Sequence, residues 1–181
     1  MFSLTYHYYC SCTIKGLLTE TTDNVPEGHQ GAGIGATALV PGLANVFSED
    51  ALAAFLNGFN IPVPDIQLIE STMFQSNNLT ACYDPDVIGW CSESDLDVQS
   101  ITSYGVGAEF GFLPGGQQAP LALGYDAFVS FREAFIENDF TPDVLSLSWT
   151  NVRWSLPEDL DDILMEFTAA GITILVASGM L

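Results

Sequence analysis

Basic residues are what this chain has least of: three lysines and arginines stand against 23 aspartates and glutamates, for a formal net charge of -20 over 181 residues. A surface so short of positive charge offers phosphate no counter-charge, which excludes nucleic acid and an anionic membrane face as natural partners. Histidine is nearly absent, with His7 and His29 far apart and alone. A histidine-based metal centre has no ligand set here, and the Cys10/Cys12 pair has no second Cys/His pair beside it to complete one, so no metal site is expected. No apolar run reaches the length of a membrane span. The opening MFSLTYHYYCSC lacks the basic start of a secretory leader, since Lys15 follows the apolar patch.

Cysteine is sparse but local. Besides Cys10 and Cys12, the chain holds Cys82 and Cys91, which would close a short loop containing Tyr83, Asp84, Pro85 and Trp90. A disulfide there needs an oxidising compartment, and the sequon Asn78-Leu79-Thr80 in the same loop points the same way. The abundance of carboxylates adds a second expectation. Their mutual repulsion eases as they protonate near pH 4, so an acidic compartment suits the chain.

What is present in quantity is apolar material, 48% of the residues, enough for the core of one domain and not of two. Residues 1–33 show no sustained period and read as an irregular arm; the domain begins at 34. From Ile34 the chain alternates strand-length apolar runs with helical periodicity. IGATALV reads as a strand, followed by a helix capped by Ser48 that places Leu52, Phe55, Leu56 and Phe59 on one face. Val63 to Ile69 and Gly105 to Phe112 read as further strands. Tyr125 to Asn138 reads as a helix burying Phe128, Phe131, Phe135 and Ile136, VLSLSW at 144–149 as a strand, and the stretch after Pro157 as a helix burying Leu160, Ile163, Leu164 and Phe167. ITILVAS supplies a last strand. Such alternation, with nearly all-apolar strands, predicts a mostly parallel sheet with helices on both faces.

Sites in such sheets gather at the carboxyl ends of strands. Ser146, Ser148 and Trp149 close one strand and Ser178 another, with Ser148 and Trp149 the candidates to touch substrate. GAGIGATA at 31–38 carries glycines in a nucleotide-binding pattern, but they precede the strand instead of following it, and the surrounding negative charge opposes a pyrophosphate. The richest stretch is CSESDLDVQSITSY at 91–104. As a helix capped by Ser92 it sets Glu93 in the first turn and Asp97 one turn later on the same face. Paired carboxylates repel, one pKa rises, and a general base for acidic conditions results; the same spacing also occurs on ordinary solvated helix faces.

Glu93-Ser94-Asp95-Leu96-Asp97-Val98-Gln99 resembles the E-x-x-L-D-[VI]-Q segment of the sedolisin family, the serine-carboxyl peptidases that include tripeptidyl peptidase I. VLSLSW is similar to that family's S-x-S strand, and GITILVASG at 171–179 to the segment leading into its S-G-D. The resemblance covers residues 34–179 and implies a subtilisin-like fold. It also implies an endopeptidase or tripeptidyl peptidase in which Glu93 takes the proton of a serine nucleophile and Asp97 hydrogen-bonds Glu93. A carboxylate then stands where neutral-pH enzymes use histidine, so the chemistry suits acid. It implies peptide or protein substrates, a secreted or lysosome-like setting, and a calcium ion in the complete family domain.

The sequence departs from that pattern at the other half of the site. Met180 stands where the family has the aspartate of S-G-D, and Met cannot donate a hydrogen bond to an oxyanion. Thr150-Asn151 follows Ser-Trp where glycine is usual. No G-T-S nucleophile segment or calcium-binding segment occurs, and none of Ser146, Ser148 or Ser178 takes the nucleophile's place. The expectation is a partial peptidase domain over 34–181 with the carboxylate half of an active site, cut off before the serine half. The alternative is a non-catalytic remnant that binds peptide or a partner domain.

Overall fold

The computed structural model describes residues 33–42, 46–71, 88–115, 125–148 and 158–177, with the backbone alone at 88–91, 125 and 158–159. The strands are β1 (Thr37–Pro41), β2 (Ile66–Leu68), β3 (Glu109–Leu113), β4 (Val144–Leu147) and β5 (Thr173–Val176). Between them lie the helices α1 (Glu49–Gly58), α2 (Ile88–Tyr104), α3 (Tyr125–Glu137) and α4 (Glu158–Ala169). The strands form one sheet in the order β2-β3-β1-β4-β5, every pairing parallel. The α/β class expected from the alternation is therefore present, and the sheet is parallel throughout its described strands.

Alternation along each strand divides the core in two. Leu39, Leu113, Leu145 and Leu147 pack with Phe128, Phe131 and Phe135 of α3 and Leu160, Ile163 and Phe167 of α4. On the opposite face Val40 and Phe112 pack with Leu52 and Leu56 of α1 and Val98 of α2. Both faces of the central strands are thus covered, which is why those strands read as almost wholly apolar. At the edge, β5 leaves Leu175 and Val176 about half exposed.

The two faces also reveal the hand of each connection. From β1 to β2 the chain moves toward one edge with α1 on one face. From β3 to β4 and β4 to β5 it moves toward the other edge with α3 and α4 on the other face. Reversing both direction and face preserves the hand. From β2 to β3, however, the chain moves toward the β5 edge while α2 lies on the face of α1, so this connection has the opposite hand. Right-handed crossovers are nearly universal, which makes the one through α2 the left-handed exception. A right-handed crossover would carry α2 to the face of α3 and α4, away from the side chains of β4 that point toward α1 and α2.

Several boundaries differ from the expected ones for local reasons. β1 starts at Thr37 because Gly33 to Gly35 forms a turn, closed by the Ala36 amide on the Gly33 carbonyl at 3.0 Å, with Gly35 at φ +81° and Ile34 exposed. β2 is confined to three residues; Pro62 and Pro64 just ahead of it have no amide to give a sheet. β3 starts at Glu109 after a turn at Gly105 to Gly107. Ser48 caps α1 as expected, its Oγ accepting from the Ala51 amide at 3.1 Å. Ser92 does not cap α2, which begins at Ile88, so Glu93 lies in the second turn. Helix extension gains a hydrogen bond per residue once nucleated, and Gly89 costs only about 1 kcal/mol, too little to stop it. On α3, Ile136 points to solvent at 74% exposure, and Ala127 and Ala134 share the buried face with Phe128, Phe131 and Phe135. Ile136 lies about 100° round the helix from Phe135 and so falls off the stripe.

Candidate functional site

Helices in parallel sheets run back against the strands, so the early turns of α2 stand at the carboxyl edge. There Asp97 meets β4. The alternation that buries Leu145 and Leu147 on the α3/α4 face turns Ser146 and Ser148 to the α1/α2 face. Just past the end of β4, the Ser148 hydroxyl donates to Asp97 Oδ1 at 2.6 Å. A short oxygen–oxygen distance of that kind marks a charge-assisted bond. The other carboxyl oxygen, Oδ2, is buried and has no hydrogen-bond partner among the described residues.

This environment moves the acid's ionisation a long way. The Asp97 carboxyl is raised from its ordinary 3.8 to about 7. Removal from water is the largest cause, the Ser148 hydrogen bond opposes it by favouring the ionised form, and the Glu93 charge adds to the rise. Glu93, one turn earlier, thus acts on Asp97 through its charge. The direct hydrogen bond between the two that the sedolisin resemblance implies is not among the hydrogen bonds of the described residues; Asp97 is held by Ser148 instead.

Two further features fix the helix that carries the pair. The Ser48 amide, at the start of α1, donates to Asp95 Oδ1 at 2.6 Å, which ties α2 to the electropositive end of α1. Within α2, Thr102 bonds back to the Val98 carbonyl at 2.7 Å and Ser103 to that of Ser100 at 2.9 Å. Ser94 does neither. Its hydroxyl is fully buried without a partner among the described residues, three residues before Asp97. Unpartnered buried polar atoms cost about 1–3 kcal/mol each, and functional sites are where folds carry such costs.

Of the residues singled out in the sequence, the structure brings Glu93, Asp97 and Ser148 together. Trp149, Cys82 and Asn78 lie outside the described residues, as do residues 1–32 of the expected arm, and Cys91 is described only as a position in α2. Sequence reading missed the Ser148–Asp97 bond and the Asp95–Ser48 tether. The first was within reach, since strict alternation in VLSLS already separates both serines from the leucines. The second depends on how α1 and α2 pack and has no local signal.

Among the described residues no group of three or more His, Cys, Asp or Glu side chains is arranged to hold a metal ion. A cavity of about 510 Å³ opens at the amino ends of β2 and β3, bounded by Pro62, Pro64, Asp65, Gln67 and Phe110. It lies at the opposite edge of the sheet from Asp97. No described helix is long and apolar enough to cross a membrane.

No family model matches the chain, and no curated protein matches it either. The sedolisin resemblance rests on the motif residues themselves.

Proposed function

We propose that this chain carries the carboxylate half of a serine-type acid peptidase site of the sedolisin kind, on a subtilisin-like sheet. The observation that carries the reading is the half-buried Asp97, hydrogen-bonded to Ser148 at the carboxyl edge of a parallel sheet, with Glu93 one turn away. In this reading Glu93 is the general base toward a serine hydroxyl. Asp97, whose ionisation is raised by its removal from water, stands one turn away on the same helix face. The all-parallel sheet with helices on both faces supports the fold half of the proposal. Substrate is a peptide or protein segment lying past the end of β4, where Ser148 and Trp149 follow one another. A Cys82–Cys91 disulfide, glycosylation at Asn78 and the charge of -20 belong to a secreted or lysosome-like acidic setting. No nucleic acid partner fits that charge.

A second reading, peptide binding without cleavage, is favoured by one specific feature. Met180 occupies the position of the oxyanion aspartate, and a thioether cannot donate a hydrogen bond to an oxyanion. Cleavage of a peptide substrate between about pH 3 and 5, the range in which carboxyls titrate, separates the readings when wild type is compared with Glu93→Gln. Cleavage lost in the variant supports the peptidase. Peptide binding with no cleavage by either protein supports the second reading. A rate indifferent to Glu93→Gln removes Glu93 from the role.

A further inference from the structure

Asn57 is the one asparagine of the chain followed directly by glycine. The backbone nitrogen of a following residue can attack an asparagine side chain, and a glycine there puts no side chain in the way. Asn57 and Gly58 are both exposed at the carboxyl end of α1, and a Cβ built on Gly58 would meet nothing within 4 Å. No hydrogen bond holds the Asn57 side chain among the described residues, while its backbone carbonyl accepts from the Asn60 amide at 3.2 Å. We propose that Asn57 is a deamidation site whose reaction is gated by the cap that closes α1. The Gly58 nitrogen bonds to Asn57 Cγ, the side-chain nitrogen leaves as ammonia with the proton that the Gly58 nitrogen gives up, and a five-membered succinimide results. Water then opens the ring at either carbonyl, to aspartate or, with one more atom in the main chain, to isoaspartate. The chemistry needs water alone and is independent of the peptidase reading above.

The gate is the end of the helix. The Ile61 amide donates to the Leu56 carbonyl at 3.0 Å and the Asn60 amide to that of Asn57, the paired bonds of a Schellman motif, with Asn60 in the left-handed conformation at φ +57°. Leu56 is fully buried and Ile61 packs against the same core cluster, so the motif is anchored from inside. Helical backbone points the Gly58 N–H along the axis toward the preceding turn, away from Asn57 Cγ. Ring closure therefore waits for the last turn to open, which helix ends do far more readily than cores. The product resists reclosure. A new carboxylate at the carboxyl end of a helix opposes the macrodipole, and the extra main-chain atom of isoaspartate moves Leu56 and Ile61 out of step where both meet the core. Conversion is thus a one-way change that loosens the end of α1.

The test is incubation of the full chain in mildly alkaline buffer beside a synthetic peptide of residues 54–60, followed by peptide mapping with mass spectrometry and isoaspartate detection. Over about ten half-lives of the peptide, position 57 of the folded chain should convert about 10–100-fold more slowly than the peptide, the cost of opening the turn. Asn57→Gln should remove the converted product. Asn60→Ala, which takes φ +57° only with strain, should weaken the cap and speed conversion severalfold, whereas Asn60→Gly, which takes it freely, should stay at or below the wild-type rate. No isoaspartate at position 57 over that interval overturns the site. Conversion at the peptide's rate, or equal rates in Asn60→Ala and Asn60→Gly with native circular dichroism spectra, overturns the gate. If Asn60→Ala does not fold, wild type in urea below its unfolding midpoint takes its place: the rate at position 57 should climb toward that of the peptide, and a rate that stays constant overturns the gate.

Discussion

Ser148 and Asp97 are 51 residues apart and meet at 2.6 Å, joining the end of β4 to the third turn of α2. The contact exists because α2 returns on the face of α1, the one connection of the sheet with reversed hand. A strand that ends in a hydroxyl and a helix that offers a buried carboxyl are brought together by that topology alone. Stability and titration both register the contact.

Stability should depend on pH through Asp97. Unfolded, Asp97 titrates near 4; folded, at about 7. Between those values the folded chain binds more protons than the unfolded one, so unfolding free energy falls as pH rises. The stability tied to this group is fully present below about pH 4 and lost above about 7, with an upper figure on the order of 4 kcal/mol across the window. Urea unfolding at pH 4, 5.5 and 7 should show that decline in wild type and a shallower one in Asp97→Asn. Repulsion among the remaining carboxylates accounts for the slope left in the variant.

The two faces of α3 should respond very differently to truncation. Phe131 is fully buried and Ile136 is exposed. Phe131→Ala should cost about 3–5 kcal/mol, while Ile136→Ser should stay within about 0.5 kcal/mol. Denaturant midpoints for the two variants check this, and equal losses would place Ile136 on the buried stripe after all.

Asp95 should matter without touching the chemistry. Its carboxylate takes the Ser48 amide at 2.6 Å, so Asp95→Ala leaves that amide and the amino end of α1 without their acceptor. A loss of about 1–2 kcal/mol is expected, against about 1 kcal/mol for Ser48→Ala, which removes the cap to Ala51. A chemical-denaturation series on the two single variants and the double variant should show coupling between them.

Gly111 is required by space. A Cβ built there meets Leu39 Cδ1 at 2.7 Å and Phe140 Cζ at 2.9 Å, and both side chains belong to the buried core. Gly111→Ala should destabilise by about 1–3 kcal/mol through overpacking, measurable as a lowered urea midpoint.

Much of this fold is written locally. The i, i+3, i+4, i+7 pattern of Leu52 to Phe59 and the Ser48 cap specify α1 directly, and the alternation of helical and apolar segments specifies a parallel sheet. Boundaries are less legible where backbone conformation decides them. Gly35 and Gly107, both at positive φ, cut short two apolar runs that read as longer strands, and Ser92 resembles a cap although α2 passes through it. At the site, spacing alone makes Glu93 and Asp97 neighbours on one helix face. That Ser148 is the hydrogen-bond partner of Asp97 depends on which face of the sheet α2 covers. Only the reversed crossover determines that, and no residue pattern within α2 encodes it.

The central claim is that Glu93 and Asp97 form one electrostatically coupled pair in which the ionisation of Asp97 is raised. Carbon-13 titration of the Asp97 carboxyl in wild type and in Glu93→Gln tests it most directly. The expected wild-type midpoint is about 7, with a lower midpoint once the Glu93 charge is gone. A wild-type midpoint near 4, the ordinary value of an exposed aspartate, or one that does not move in Glu93→Gln, would contradict it.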